Sequence, residues 1–429
     1  MTSERYASPL LGWIMWGLVA NLYLVGFFQR VAPAVMVDEL MADFQIGAAV
    51  LGNLSAAYFY AYAAMQIPSG MLADAIGPRR LSAYAALIAS LGIFAFALSP
   101  YLWLAYLGRF MIGASVAVAF VACMKLAGHW FPTNRFATIT GVALLMGNLG
   151  GILAGIPLSE AIALFGWRSS MFVSGLVTLG GALLIWVVVR DDPSERGYTS
   201  FAYAATVDEQ KLSAGQALKL VMKKRDTWLL FFAGGLSAAP LLVFAGLWGV
   251  PYLTQIYGME RSQAAGFTST MLLAWAIGGP FLGAISDRFK RRKLPYLLTN
   301  VCATVLWGMF LFVEIPQPLL YPLFAAMGFF SGGLIVGFAF AREANHPAVA
   351  GTVGGVVNMS ILGFAALLQP LLGFILDRHW DGTLLGGTPS YSAEAYFFAF
   401  LWLFGCVLLS VLALIPVAET KCQMSTEEL

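Results

Sequence analysis

Apolar runs of about 20 residues, long enough to cross a bilayer's hydrocarbon core as helices, recur along the whole chain. Twelve can be marked, at approximately 10–36, 47–72, 81–99, 102–128, 136–163, 168–190, 227–255, 264–286, 295–314, 318–341, 350–377 and 393–417. Short polar turns separate them, with one exception. "RDDPSERGYTSFAYAATVDEQKLSAGQALKLVMKKRD", Arg190 to Asp226, is long and polar and divides six runs from six. The expected organisation is a six-helix bundle at 1–190, a linker at 191–226 and a second six-helix bundle at 227–429. Within the linker, Ser213 to Lys224 carries the pattern of a short amphipathic surface helix.

Composition agrees with this pattern. Of 429 residues, 60% are hydrophobic and 11% charged, against roughly 25% charged in a soluble chain. A soluble globule cannot be given a polar skin from so few charges, so an all-α membrane protein with twelve transmembrane helices in the lipid bilayer is expected. The first run is too long for a signal peptide and no small-residue cleavage site follows it, so it reads as a retained span. Eighteen of the 24 Lys and Arg fall on the side of the chain ends and linker. Positive charge marks the cytoplasmic side, so both termini are expected in the cytoplasm and the protein in the plasma (inner) membrane. A net charge of +2 gives no reason to expect a nucleic-acid partner. The four cysteines are scattered, and His129, His346 and His379 fall in loops or at helix ends. No phosphate-binding glycine loop, His-Glu-x-x-His or nucleophile elbow is present. Neither enzyme chemistry nor a cofactor or metal is expected.

The stretch "GMLADAIGPRR" joins the second and third runs, and "GAISDRFKRRK" joins the eighth and ninth. A shift of 213 residues lays Gly70 on Gly283, Asp74 on Asp287 and Arg80 on Lys293. The same register, without a gap, lays Gly141 on Gly354, Gly150 on Gly363, Pro157 on Pro370 and Trp167 on Trp380. The two halves therefore read as structural repeats of the same orientation.

Two six-span halves, a central loop and Gly-x-x-x-Asp-x-x-Gly-x-Arg-Arg after the second span resemble the major facilitator superfamily over essentially the whole chain. Gly70, Asp74, Gly77, Arg79 and Arg80 fit that turn; the second copy keeps Gly283, Asp287, Arg291 and Arg292 but has Lys290 where a glycine is expected. "RFMIG", from Arg109, resembles the family's span-four Arg-x-x-x-Gly element. The resemblance implies alternating access, with the Asp-Arg turns latching the two halves together on the cytoplasmic face.

A charge inside the membrane is costly and is a functional candidate. Arg30 stands in the first run, in "YLVGFFQRVAPAVMVDELMADF", with no acidic residue within a helical turn. Its guanidinium fork suits a carboxylate; the competing reading is an arginine reaching the interface or backbone carbonyls. This segment resembles the anion:cation symporters and the organophosphate:phosphate antiporters, in which an arginine at this place binds the anion. Tyr62 matches a substrate-site tyrosine of the second group if one gap is allowed. Departures accompany the resemblance. Gln29 and Val116 stand where the symporters carry proton-coupling carboxylates, and Leu242, by the match to Trp248, stands where the antiporters carry a second arginine. Arg109 is a second candidate for the substrate or a structural charge. Asn148, Asn358 and Gln369 are uncharged candidates for the substrate or for contacts between helices. Span five lacks the drug-antiporter signature.

The expected function is secondary transport of a small organic anion or zwitterion bearing a carboxylate, in the uptake direction, by a monomer. A proton or a counter-transported anion would couple it. Efflux of an amphipathic compound, or ligand sensing without translocation, stay open as alternatives.

Overall fold

The structure, a computed structural model, describes residues 5–132, 135–201, 214–385 and 387–424. Among these residues, eleven helical stretches are long and apolar enough to cross a membrane. A twelfth, Ala48–Ala64, continues through Met65 in the right-handed helical region into Gln66–Ile76. The short helix Val37–Phe44 meets Ala48–Ala64 at 111° and so lies across the bundle end, outside span two. The twelve spans follow the expected limits within a few residues, and Ala214–Lys223 is the expected short helix of the linker.

Several spans are broken along or at the end of their length. Span one, Pro9–Val31, ends in the tight turn Ala32–Val35. Span seven, Arg225–Val243, passes into a π-helical segment, Phe244–Trp248, before continuing as Gly249–Tyr257. Pro240, which has no N–H to give the helix ladder, lies four residues before that segment. Spans four (Leu102–Val116, Ala119–Trp130) and ten (Gln317–Ser331, Leu334–Glu343) are each interrupted once, at matching places in the two halves. Irregular backbone within a membrane span is tolerated only where protein covers it or a cavity needs it. Π-segments gather at functional sites.

Both chain ends and the linker share one face, here the terminal face. Thr199 N–H donates to the Arg5 carbonyl at 2.8 Å, and Ala418 N–H to Asp226 at 3.3 Å. The acid following the last span of each half caps that half's third span. Asp191 accepts from Arg79 N–H at 2.6 Å, where Pro78–Ala97 begins. Glu419 accepts from Arg292 and Lys293 N–H at 2.8 and 3.1 Å, where Lys293–Phe312 begins. Both carboxylates meet the positive end of a helix dipole.

Asp192 anchors the start of the linker. It accepts from His129 Nδ1 at 2.8 Å, Ser194 N–H at 2.8 Å and Ser200 Oγ at 2.7 Å. Burial pushes its carboxyl up, but the hydrogen bonds from His129, Ser194 and Ser200 outweigh burial and hold it well below the usual range. A depressed carboxyl stabilises the fold above its unfolded value of about 4 and loses that contribution only as pH falls through the lower folded value. Amide exchange of residues 191–201, corrected for its intrinsic pH dependence, should therefore stay constant from about pH 6 down to about 4. Asp192→Asn should speed it several-fold; equal exchange in the two proteins would show that Asp192 does not anchor the linker.

The halves meet most closely where span two packs on span eleven, Ala350–Arg378. A Cβ at Gly52 would stand 2.5 Å from the Gln369 carbonyl, so only glycine lets these helices approach this closely. Away from the terminal face, Arg261 of span eight pairs with Glu39 at 2.5 Å and Asp38 at 4.0 Å, and Asp377 of span eleven accepts from Ala48 and Ala49 N–H. The described ion pairs of the terminal face stay within one half each. The face opposite the termini is thus the closed one in this state.

Candidate substrate site

Arg30 lies in the last turn of span one and is 6% exposed. Aromatic rings surround its guanidinium: Phe27 at 4.3 Å, Tyr62 at 5.3 Å, Tyr58 at 5.9 Å and Phe59 at 6.0 Å. These rings come from spans one and two. Tyr58 is fixed by donating its hydroxyl to the Gly26 carbonyl at 2.9 Å, and by Gly113 of span four, where a Cβ would collide with the Tyr58 carbonyl. No carboxylate among the described residues pairs with Arg30, and its Nε has no hydrogen-bond partner. Ring faces stabilise a cation by roughly 0.5–2 kcal/mol each, which does not offset the cost of removing it from water. The break in span seven packs near the backbone of Arg30: a Cβ at Gly246 would stand 3.9 Å from the Arg30 carbonyl.

Arg109 is placed differently. It is 1% exposed, and its terminal nitrogens donate to the Gln29 carbonyl at 2.7 Å and the Ser55 carbonyl at 3.4 Å. Its guanidinium also stands 5.2 Å from the Tyr58 ring, so the two arginines share that ring. Arg109 ties span four to spans one and two. Gln29 turns away from Arg30 and donates to Ser174 of span six at 3.3 Å, and Val116 packs where Gly26 leaves room.

Of the other candidates, Tyr62 stands beside Arg30, as given above. Gln369 is fully buried, and both its amide atoms lack a partner while its backbone carbonyl accepts the Trp248 indole N–H at 3.2 Å. Asn358 crosses the halves and donates to Gln66 Oε1 at 2.8 Å. Asn148 turns back on its own helix to the Leu144 carbonyl at 2.8 Å. Buried polar atoms without partners are rare in folded proteins. Here such atoms include Gln29 Oε1, Arg30 Nε, Ser55 Oγ, Arg109 Nε and the Gln369 amide, all on spans one, two, four and eleven. Sequence reasoning missed Phe27, Tyr58 and Phe59, whose helical spacing is that of ordinary core aromatics. It also missed Ser55.

The two Asp-Arg turns close within their own halves. Asp74 pairs with Lys125 of span four at 2.9 Å and is itself 82% exposed. Arg79 reaches the Trp186 carbonyl at 2.7 Å, and Arg80 is exposed. Gly70 borders open space. In the second copy Asp287 pairs with Arg292 at 2.6 Å, and Arg292 also holds Glu343 of span ten at 2.8 Å. Arg291 is exposed, and a Cβ at Gly283 would rest against Ile335 at 3.6 Å. Gly77 has φ +79° and Lys290, its counterpart under the 213-residue shift, φ +49°. Both copies thus need a positive φ, and Lys290 takes it in the left-handed helical region, where a non-glycine residue costs roughly 1–2 kcal/mol.

The Major Facilitator Superfamily profile matches residues 19–370. The "Probable sulfoacetate transporter SauU" of Cupriavidus necator is 25% identical over 383 residues, 84% of this chain and 86% of that protein. The "Probable galactarate/D-glucarate transporter GarP" of Escherichia coli K12 is 25% identical, with 82% and 86% covered, and the "Membrane sensor protein UhpC" of the same organism 24%, with 84% and 85% covered. In fold, the chain is similar to a crystal structure of a bacterial homologue of the human lysosomal transporter Spinster, with a TM-score of 0.77, 18% identity and 96% of each chain covered. Twelve spans in two broken-helix halves and a profile match over most of their length lead to one conclusion: this chain belongs to the major facilitator superfamily and is an integral membrane transporter, not an enzyme.

Proposed function

We propose that the chain moves a small organic monoanion or zwitterion bearing a carboxylate across the inner membrane by alternating access, in the uptake direction, with the acid group held by Arg30. The observation that carries this reading is the buried, aromatic-walled Arg30 guanidinium without an acidic partner. A bound carboxylate would offset a desolvated charge that no carboxylate among the described residues offsets. Arg109 is already engaged by carbonyls, and Leu242 is an apolar, buried residue, so among the described residues of these spans a single cation is left to a ligand. That favours one acid group over the two charges of a phosphate. SauU and GarP, named for acid substrates, support an acid in general, and Gln369 and Tyr62 supply polar contacts for its remainder. The excess of basic residues on the terminal face supports a cytoplasmic location for it, and in that reading this state is open inward.

Thermal shift across carboxylates, amino acids, sugar acids and peptides identifies ligands. Flux of each hit into proteoliposomes, with and without a pH gradient and with and without trans substrate, then tests transport. Saturable flux of a monocarboxylate or zwitterion supports the proposal. Binding without flux favours ligand sensing, and flux confined to neutral or cationic amphipaths overturns it. With Gln29 and Val116 in place of carboxylates, exchange against an internal anion is the expected coupling; acceleration by a proton gradient alone would exclude it.

The exposed Asp74 is free to leave Lys125 when the terminal face closes, and we place the latch between the halves there. Pairs at such sites contribute on the order of 1 kcal/mol, about fivefold in a two-state population. Asp74→Asn should therefore favour molecules open on the terminal face, raise thiol labelling there about fivefold and slow turnover. Asp287→Asn, whose partner Arg292 also holds Glu343, should act in the same direction but more weakly. Unchanged labelling and turnover in the double variant would reduce the turns to a topology signal.

A further inference from the structure

We propose that Asp377, clamped by Tyr391, is the gating residue of the face opposite the termini, and that it acts by capping the first turn of span two across the boundary between the halves. Span two begins at Ala48, and its own N-cap residue, Gly47, has no side chain with which to satisfy the free N–H groups of the first turn. Asp377, in the last turn of span eleven, supplies what is missing. Its Oδ1 accepts from Ala48 N–H at 2.9 Å and its Oδ2 from Ala49 N–H at 2.8 Å. The Tyr391 hydroxyl donates to Oδ1 at 2.7 Å and itself accepts from Ala48 N–H at 3.2 Å. Span two belongs to the first half of the chain, and Asp377 and Tyr391 to the second. The contact therefore exists only while this face is shut.

The surroundings are shaped for this contact. A Cβ at Gly47 would stand 2.8 Å from Asp377 Oδ2, and one at Gly373, a turn earlier in span eleven, would collide with the Ala48 carbonyl. Two glycines thus let the acid reach the helix end. No cation among the described residues pairs with Asp377. Its charge faces the helix end, where aligned peptide dipoles and unused N–H groups favour an anion. The neighbouring Arg261–Glu39 pair also crosses the halves, but its side chains are 29% and 27% exposed, and such partly wetted pairs contribute less. Deeper in the same interface the Gly52–Gln369 contact is backbone against backbone and independent of charge. It suits a pivot, whereas the acid-to-helix contact can be exchanged for water on each cycle.

The inference rests on alternating access and on no assignment of substrate, so it is tested without one. In a background lacking the four native cysteines, one reporter cysteine replaces buried Ala34 near the closed face, and another replaces Gly141, which borders open space. Asp377→Asn keeps the shape and one acceptor but removes the charge. It should raise labelling at the Ala34 reporter about five- to tenfold and lower labelling at the Gly141 reporter, as a shift between two states requires. Tyr391→Phe should do the same to a smaller degree, and Glu39→Gln less still. If Asp377→Asn does not yield monodisperse protein, Tyr391→Phe alone carries the test. Labelling within twofold of the parent at both reporters, or a rise at both together, would overturn the proposal. The second outcome would show that Asp377 only holds the fold. Because the readout is labelling, failure here leaves the Arg30 reading untouched, and failure of Arg30 leaves this one.

Discussion

Arg30→Ala should abolish saturable transport and weaken ligand binding by roughly 30- to several-thousand-fold, the 2–5 kcal/mol typical of losing one partner of a buried charge pair. Folding should survive. In the empty protein the Arg30 charge has no ion-pair partner among the described residues, so its removal breaks no ion pair and relieves a desolvation cost. The thermal midpoint without ligand should therefore stay within a few degrees of wild type or rise, while the shift produced by ligand disappears. Arg30→Lys should rescue little. An ammonium offers no planar fork to a carboxylate and stacks less well on the Phe27 and Tyr62 rings. Wild-type affinity in purified Arg30→Ala would remove Arg30 from the site.

The fold was largely legible because bilayer thickness fixes helix length, and length can be counted in the sequence. The Asp-Arg turns were legible because they repeat at a fixed shift, and even the misfit at Lys290 marks a position where the chain must enter the left-handed region. The site was legible only at its charged centre. Arg30 and Arg109 look alike in sequence, each a lone arginine in an apolar helix. What separates them is tertiary: Arg109 ends on two backbone carbonyls, and Arg30 among the ring faces of Phe27, Tyr58 and Tyr62. Tyr58 and Phe27 carried no signal because a helix facing a core and a helix facing a cavity share one periodicity. The breaks at Ala32–Val35 and Phe244–Trp248 lie at or just after Pro33 and Pro240, but a proline alone does not mark a break, since Pro280 and Pro370 sit inside unbroken helices. Asp377 was missed for a related reason. An acid at a helix end reads as a solvated terminus until the helix it caps, 328 residues away, is brought to it.

The opposite pattern is expected for Arg109. Its guanidinium joins the Gln29 and Ser55 carbonyls and packs against Tyr58 and Phe96 at 5.2 and 5.9 Å, all inside the first half. Truncation to alanine would leave a cavity among spans one, two and four, and would free two carbonyls from a charged donor. Large-to-small changes at such sites cost about 2–5 kcal/mol, and losing hydrogen bonds to a charged group about 1.5–3. Arg109→Ala should lower the thermal midpoint by several degrees and cut the yield of monodisperse protein. In the fraction that folds, affinity should stay within about threefold, both terminal nitrogens being turned to backbone carbonyls. Arg109→Met separates volume from charge. An apolar chain of similar length fills the space and removes a buried cation, so it should recover much of the lost stability. Thermal midpoints and ligand titrations on the two arginine positions, read side by side, decide the matter. If Arg109→Met folds as well as wild type and has lost its ligand, then Arg109 binds substrate directly, and the single-cation site proposed around Arg30 must be redrawn as a pair able to hold a dianion.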